Sequence, residues 1–261
     1  MTIRAVLFDL DNTLVLEDEV VRDSVRRTCD SAAAYGVVPE ALFAVTPRIA
    51  SETWKKSGVF EWCERFGIWW GEGLWGEFNG DSAEIAVLRA FAPSFRHTVW
   101  REALASLGVF DDRLAERLAD EFRSIRRSVE PEDPDARAVL ADLARDHALG
   151  LVTNGASDVQ REKLSRTALA TRFGAIAISV EVGAAKPDPR IFQTALEALE
   201  VSADDAAMVG DSRPRDVAGA RATGLRSVWL DRGDAFSEGP GPEPDARIER
   251  LSQLRPILAG W

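Results

Sequence analysis

Two aspartates separated by one residue, Asp9 and Asp11, follow an apolar run at residues 3–8. The run predicts a buried strand, so both carboxylates are expected where that strand passes into a loop. A charge near the protein interior is costly unless a metal ion or a hydrogen-bond donor compensates it. The pair therefore predicts a metal site, a nucleophile with an acid/base partner, or both.

Further polar residues lie at or just beyond the ends of other apolar runs. They are Thr153, Asn154, Lys186, Asp211 and Asp216. Clustered carboxylates suit Mg²⁺, a hard cation that prefers oxygen ligands. A hydroxyl and an ammonium suit the oxygens of a phosphate group. If the strand ends converge, these residues together predict a site that binds both a cation and a phosphate.

The apolar runs recur along the chain with helical patterns between them. Continuous apolar runs of this length are typical of strands buried on both faces of a parallel sheet. The predicted strands are residues 3–9, 148–153, 174–179, 206–210, 226–230 and, more weakly, 246–248. Alternating strands and helices predict a doubly wound, Rossmann-like α/β domain. Ligands of such domains bind at the carboxyl ends of the strands.

Local signals predict where several core helices begin and end. Ser157 and Gln160 have the spacing of a capping box, which predicts a helix that continues to about residue 168. Asp188 followed by proline predicts an N-cap. Gly224 predicts the end of a helix over 214–223.

Residues 17 to about 130 interrupt the alternation of strands and helices. They show helical patterns at 17–35, 39–56, 59–70, 83–107 and 111–128, and no convincing strand. We therefore expect a helical domain at 16–130, inserted after the first strand of an α/β core formed by 1–15 and 131–261. The insert is long enough to act as a lid over the strand ends and to select the substrate.

Composition excludes several classes of partner. The chain has 261 residues and a formal net charge of -11, whereas general nucleic-acid binders carry a basic face. No apolar run approaches the length of a membrane span. We see no secretory leader pattern and expect a cytoplasmic protein. Cys29 and Cys63 lack the spacing of a zinc site, and a disulfide is not expected in that compartment. Oligomeric state is not indicated.

These segments together resemble the haloacid dehalogenase superfamily, in its phosphatase branch. The matching motifs, in the family's order, are DLDNTL at 9–14, VTNG at 152–155, KPDPRIF at 186–192, and GDS at 210–212 with Asp216. The helical insert lies where that family places a type-one cap. A single motif of this kind is weak, but four in order on predicted strand ends are specific.

The resemblance implies a Mg²⁺-dependent phosphatase that hydrolyses a small phosphorylated metabolite through an aspartyl-phosphate. Asp9 would be the nucleophile, and Asp11 would protonate the leaving alcohol and then activate water. The implied metal ligands are Asp9, the backbone carbonyl of Asp11 and Asp211, with Asp216 in support. Asp216 lies in a helical pattern and has a solvated surface position as its alternative.

The implied phosphate-binding residues are Thr153 and Lys186, helped by backbone N–H groups near Asn12 and Asn154. Glu181 is a candidate ion-pair partner that would orient Lys186. Thr153 taken alone has a strand-end hydroxyl as its alternative interpretation.

Other activities remain open on the same fold. A metal-independent 2-haloacid dehalogenase is disfavoured because that branch lacks the second acid, which Asp11 provides here. Phosphonate cleavage is disfavoured for the same reason. A phosphomutase differs by returning the phosphoryl group to a second hydroxyl. A non-catalytic scaffold is disfavoured because every chemical group is retained.

Overall fold

A computed structural model of the chain describes residues 2–129, 132–233 and 239–261. The chain folds into two compact units. One comprises Met1–Glu17 and Pro131–Trp261, and the other comprises Asp18–Glu130. Among the described helices, none combines the length and the apolar content that crossing a membrane requires.

The first unit contains a six-stranded sheet in which all paired strands are parallel. Its strands are β1 (Ala5–Phe8), β2 (Ala148–Thr153), β3 (Ala175–Ile178), β4 (Ala206–Gly210), β5 (Arg226–Leu230) and β6 (Ala246–Ile248). The strand order is β3-β2-β1-β4-β5-β6. The predicted doubly wound α/β fold is thus confirmed. The order reverses at β1, so a ligand-binding crevice is expected at the carboxyl end of this strand.

Helices cover both faces of the sheet. They are α7 (Ala136–Leu143), α8 (Ser157–Thr167), α9 (Ser179–Val182), α10 (Pro189–Leu199), α11 (Ala218–Thr223) and α12 (Leu254–Ala259), with a π-helical turn at Arg213–Val217. Side chains of β1 alternate between the two faces. Val6 and Phe8 pack in the cluster that contains Leu140 of α7, while Leu7 packs in the cluster that contains Phe192 of α10. Burial on both faces explains the continuous apolar run of the first strand.

Two of the predicted helix boundaries are confirmed and one is wrong. The Asp188 carboxylate accepts a hydrogen bond from the Arg190 N–H at 3.0 Å and caps α10, and Gly224 ends α11 in a left-handed conformation. The capping box at Ser157 is wrong, because α8 has Ala156 as its N-cap and lacks a side-chain cap. Ser157 instead donates to Glu181, and Gln160 turns towards the end of β1.

In the second unit, the regular elements formed by the described residues 18–129 are all helices, joined by turns and loops. Its helices are α1 (Glu17–Ser31, which begins in the first unit), α2 (Pro39–Lys55), α3 (Phe60–Phe66), α4 (Trp70–Gly73), α5 (Ala83–Ser106) and α6 (Asp112–Ser128). The long helix α5 packs against α2 and α6, and Trp54 contacts Phe95 with ring centroids 5.0 Å apart. The single helix predicted over 59–70 is wrong, because Gly67 adopts a left-handed conformation and ends α3. Cys29 and Cys63 are buried free thiols.

Arg232 connects the loop after β1 to the chain segment that returns to the sheet. Its guanidinium donates to the backbone carbonyls of Asn12 and Thr13 at 2.8 and 2.9 Å, and to the Asp133 carboxylate at 2.7 Å. The Asp133 side chain is only 5% exposed. A buried carboxylate needs such a partner, because desolvation of an unpaired charge is costly.

We predict that Arg232→Met lowers the free energy of unfolding by about 3 kcal/mol, because it leaves the Asp133 carboxylate buried without its cation. Urea unfolding followed by circular dichroism measures the change. Arg255→Met is the matched control, since Arg255 pairs with Asp142 and Asp146 at a more exposed position. The control should lose less than about 1 kcal/mol. Equal losses in the two variants would contradict the structural role given to Arg232.

Candidate active site

Asp9 is the first residue after β1 and remains bonded to the sheet. Its N–H donates to the Val209 carbonyl at 2.9 Å, and the residue is 6% exposed. The chain then turns through Asn12, which adopts a left-handed φ of 57°. Asparagine tolerates this conformation better than most residues. The turn is tight, since the Leu14 N–H donates to the Leu10 carbonyl at 2.8 Å. Asp11 therefore lies in the same short loop as Asp9.

Lys186 lies between two buried carboxylates. Its Nζ is 2.5 Å from Asp9 Oδ1 and 2.7 Å from Asp216 Oδ1. Burial raises the pKa of Asp9 from 3.8 to about 7, because the Lys186 ammonium only partly offsets the desolvation and the Asp216 carboxylate adds to the rise. Burial alone would lower the pKa of Lys186, but Asp216 and Asp9 raise it above its ordinary value. Lys186 thus pairs with two carboxylates, and its single positive charge does not balance the negative charge around it.

Asn154, at the end of β2, fixes the backbone of Lys186. The Lys186 N–H donates to Asn154 Oδ1 at 2.8 Å, and Asn154 Nδ2 donates to the Lys186 carbonyl at 3.1 Å. These two reciprocal hydrogen bonds join the end of β2 to the segment that contains Lys186, although the two are far apart in sequence. The prediction that Glu181 orients Lys186 is wrong. Glu181 instead accepts from Arg161 at 2.7 and 2.8 Å, because α9 directs it towards α8.

Asp9, Asp211 and Asp216 form a carboxylate cluster. One oxygen of each lies within 4.8 Å of one oxygen of both others. Asp216 is held by the Ser212 N–H, which donates to its Oδ2 at 3.0 Å, and the Asp211 carbonyl accepts from the Trp229 indole at 2.8 Å. Oxygen ligands at this spacing fit a hard divalent cation such as Mg²⁺.

Asp11 lies outside the carboxylate cluster and has different partners. Lys163 Nζ lies 2.8 Å from Asp11 Oδ1, and Gln160 Nε2 donates to Asp11 Oδ2 at 2.8 Å. Gln160 Nε2 also lies 3.2 Å from the hydroxyl of Thr153, which is fully buried at the end of β2. The two aspartates of the first motif therefore have separate cationic neighbours, Lys186 and Lys163.

Sequence reasoning missed the contacts that Gln160 and Lys163 make with Asp11. Gln160, Lys163 and Thr167 lie on the buried face of α8 at helical spacing. Residues three and four apart share one helix face. Polar residues are uncommon on the buried face of a helix. The helical spacing of these three polar residues was therefore the signal that could have revealed the contacts with Asp11.

Comparisons with known proteins decide the family. The family model of the haloacid dehalogenase-like hydrolases matches residues 3–224. This chain belongs to that family. It is therefore a hydrolase, and the resemblance inferred from the four motifs is confirmed.

Similar proteins within the family include a phosphoserine phosphatase from Thermus thermophilus, which is 40% identical over 252 residues, covering 96% of this chain and 97% of the relative. Among solved structures, the HAD-hydrolase YfnB from Bacillus subtilis, bound to magnesium, aligns over 99% of both chains with a TM-score of 0.66 and 21% identity. A 2-haloacid dehalogenase from Pseudomonas syringae pv. Tomato aligns over 100% of both chains with a TM-score of 0.57 and 27% identity.

The raised pKa of Asp9 predicts a pH-dependent effect of Asp9→Asn on stability. Between pH 3.8 and about 7, the folded protein binds a proton that the unfolded chain has released. The contribution of Asp9 to the free energy of unfolding therefore falls as pH rises through this window. Between pH 5 and pH 8, the free energy of unfolding of Asp9→Asn should therefore rise by at least about 1 kcal/mol relative to that of wild type. Urea unfolding with a chelator present measures this change.

Asp245→Asn is the control for that measurement. Partial burial tends to raise the pKa of Asp245, but hydrogen bonds from Ser227 hold it below its ordinary value. Asp245 is therefore ionised in both states at pH 5 and pH 8, and the effect of its replacement should not depend on pH. A pH-independent effect of Asp9→Asn would contradict the raised pKa of Asp9.

Proposed function

We propose that this hydrolase is a Mg²⁺-dependent phosphatase that acts on a small phosphorylated metabolite. The observation that carries the proposal is the presence of two carboxylates at the end of the central strand, each beside a different buried ammonium. Asp9 lies beside Lys186, and Asp11 lies beside Lys163. Phosphoryl transfer requires an in-line nucleophile, a proton carrier and neutralisation of the phosphate charge. This arrangement supplies residues for all three.

Asp9 is the proposed nucleophile. One of its carboxylate oxygens attacks phosphorus, and the bond between phosphorus and the ester oxygen breaks. In this step Asp11 gives a proton to the departing alcohol oxygen. The product of this half-reaction is an acyl phosphate on Asp9.

Water completes the reaction in the second half. Asp11, now ionised, accepts a proton from a water molecule whose oxygen attacks phosphorus. The bond between Asp9 and phosphorus breaks, which releases inorganic phosphate and restores the Asp9 carboxylate. Lys186, Thr153 and backbone N–H groups near Asn12 and Asn154 are the proposed contacts of the phosphate oxygens.

The proposed ligands of Mg²⁺ are the Asp9 carboxylate, the Asp11 backbone carbonyl and Asp211, with Asp216 supporting the cation. The spacing of the three carboxylates supports this assignment. Bound Mg²⁺ supplies positive charge that offsets the negative charge of the phosphate oxygens and of Asp9.

Phosphoserine is the substrate to test first. The relative named phosphoserine phosphatase is similar over nearly the whole chain. The similarity to a 2-haloacid dehalogenase makes carbon–halogen hydrolysis the second activity to test. Asp11 favours the phosphatase, because an alkoxide leaving group needs a proton whereas a halide does not.

We predict that Asp9→Asn lowers kcat for phosphate release at least about 10³-fold, because the nucleophile is lost. Asp11→Asn should lower it about 10²- to 10⁴-fold. Phosphate release from phosphoserine and from p-nitrophenyl phosphate is measured with Mg²⁺ and with a chelator. Asp188→Asn, a cap exchange at an exposed position, is the control and should keep the wild-type rate. Halide release from a 2-haloacid without metal, together with no phosphate release, would overturn the proposal.

The cation site is tested separately by Gly210→Ala. A Cβ at position 210 would overlap the Asp216 carboxylate, so the variant must displace that residue. We expect the dissociation constant for Mg²⁺, measured by titration calorimetry, to rise about 10- to 100-fold. Gly58→Ala is the control, since a Cβ at position 58 meets nothing within 4 Å. If Gly210→Ala and Asp211→Asn both keep the wild-type affinity, Mg²⁺ does not bind at this cluster.

A further inference from the structure

The buried face of α8 brings two polar side chains to Asp11. Lys163 is 1% exposed and Gln160 is fully buried. Their donors contact different oxygens of the Asp11 carboxylate, each at 2.8 Å. The residues are three apart on the helix, so one element presents both donors from the same side.

We propose that Lys163 and Gln160 are positioning residues that fix the orientation of the Asp11 carboxylate. This inference rests on the proposed function, in which Asp11 carries the proton in both half-reactions. A carboxylate bonded through both oxygens has one preferred rotamer, whereas a carboxylate in an open loop samples several. Proton transfer depends strongly on such placement, and an error of about 1 Å can cost about 10²-fold in rate.

Lys163 has a second acidic neighbour that helps to hold it. Glu17 Oε2, at the start of α1, lies 3.8 Å from Lys163 Nζ, and the Glu17 side chain is 1% exposed. Burial of an ammonium is costly unless nearby carboxylates offset the desolvation. Asp11 and Glu17 are the carboxylates beside Lys163 that supply this compensation.

Gln160 also links Asp11 to the carboxyl end of β2. The same Nε2 lies 3.2 Å from Thr153 Oγ1 and 2.5 Å from the Asn154 carbonyl. Asp11 is thereby held relative to the residues proposed to bind the phosphate. A methyl group at Gly155 would overlap the Gln160 amide, so glycine is required at this position for Gln160 to reach the site.

Lys163→Met tests the proposal in the full-length protein with Mg²⁺. With phosphoserine we expect kcat to fall about 10²-fold and KM to change less than about 3-fold, because the proposed phosphate contacts are untouched. With p-nitrophenyl phosphate the departing nitrophenolate needs no proton. The rate of the first turnover should then remain within about 3-fold of the wild-type rate. Later turnovers should slow about 10²-fold, because the attacking water must still give its proton to Asp11.

The readout is a stopped-flow burst of nitrophenolate followed by slow release. Acid-quenched Lys163→Met should also contain phosphorylated Asp9 peptide, detected by mass spectrometry. Arg161→Met is the matched control, because it removes one positive charge from the same helix at an exposed position. It should show wild-type kinetics. A merely structural role of Lys163 would lower the first and later turnovers equally.

Further outcomes separate the two proposals. If wild type and Arg161→Met are active and Lys163→Met equals them, the positioning role is overturned and the proposed function stands. If wild type hydrolyses no phosphate ester, both are overturned. If thermal melts show that Lys163→Met does not fold, Gln160→Met decides, since it leaves no buried charge unpaired. It should give the same burst with a loss of about 10-fold in later turnovers, and an equal loss in all turnovers would overturn the proposal.

Discussion

The contact of one buried ammonium with two buried carboxylates is the interaction on which the rest of the site depends. Lys186 reaches both Asp9 and Asp216, yet three carboxylates gather within 4.8 Å of one another. Charge is therefore not balanced by the lysine alone. Burial raises the pKa of Asp9, and the neighbouring Asp216 carboxylate adds to the rise. A protein retains such a costly arrangement where function requires it. The same excess of negative charge favours binding of a divalent cation.

The parallel sheet makes this arrangement possible. Its order places β1 between β2 and β4, so residues at three adjacent strand ends lie side by side. Hydrogen bonds then fix each group: Asn154 holds the Lys186 backbone, Ser212 holds Asp216, and Arg232 holds the loop after Asp9. The placement of the functional side chains thus depends on these hydrogen bonds as well as on the strand order.

The sequence predicted the strands well because burial on both faces leaves continuous apolar runs. It also predicted the cap of α10 at Asp188, where the signal is local. It failed where local and tertiary bonds compete for one side chain. Gln160 has capping-box spacing but bonds to Asp11, and Glu181 lies near Lys186 in sequence but pairs with Arg161. The helix predicted over 59–70 failed for a local reason, because Gly67 adopts a left-handed conformation and ends α3.

The sequence by itself determined the family, the α/β class and the identity of the chemical groups, because motif spacing and apolar periodicity are written along the chain. Only the tertiary structure decided which groups meet. Lys163 and Lys186 are alike as residues, but one faces Asp11 and the other faces Asp9. That division follows from strand order, helix rotation and the desolvation of each charge, and these are properties of the folded chain rather than of any local segment.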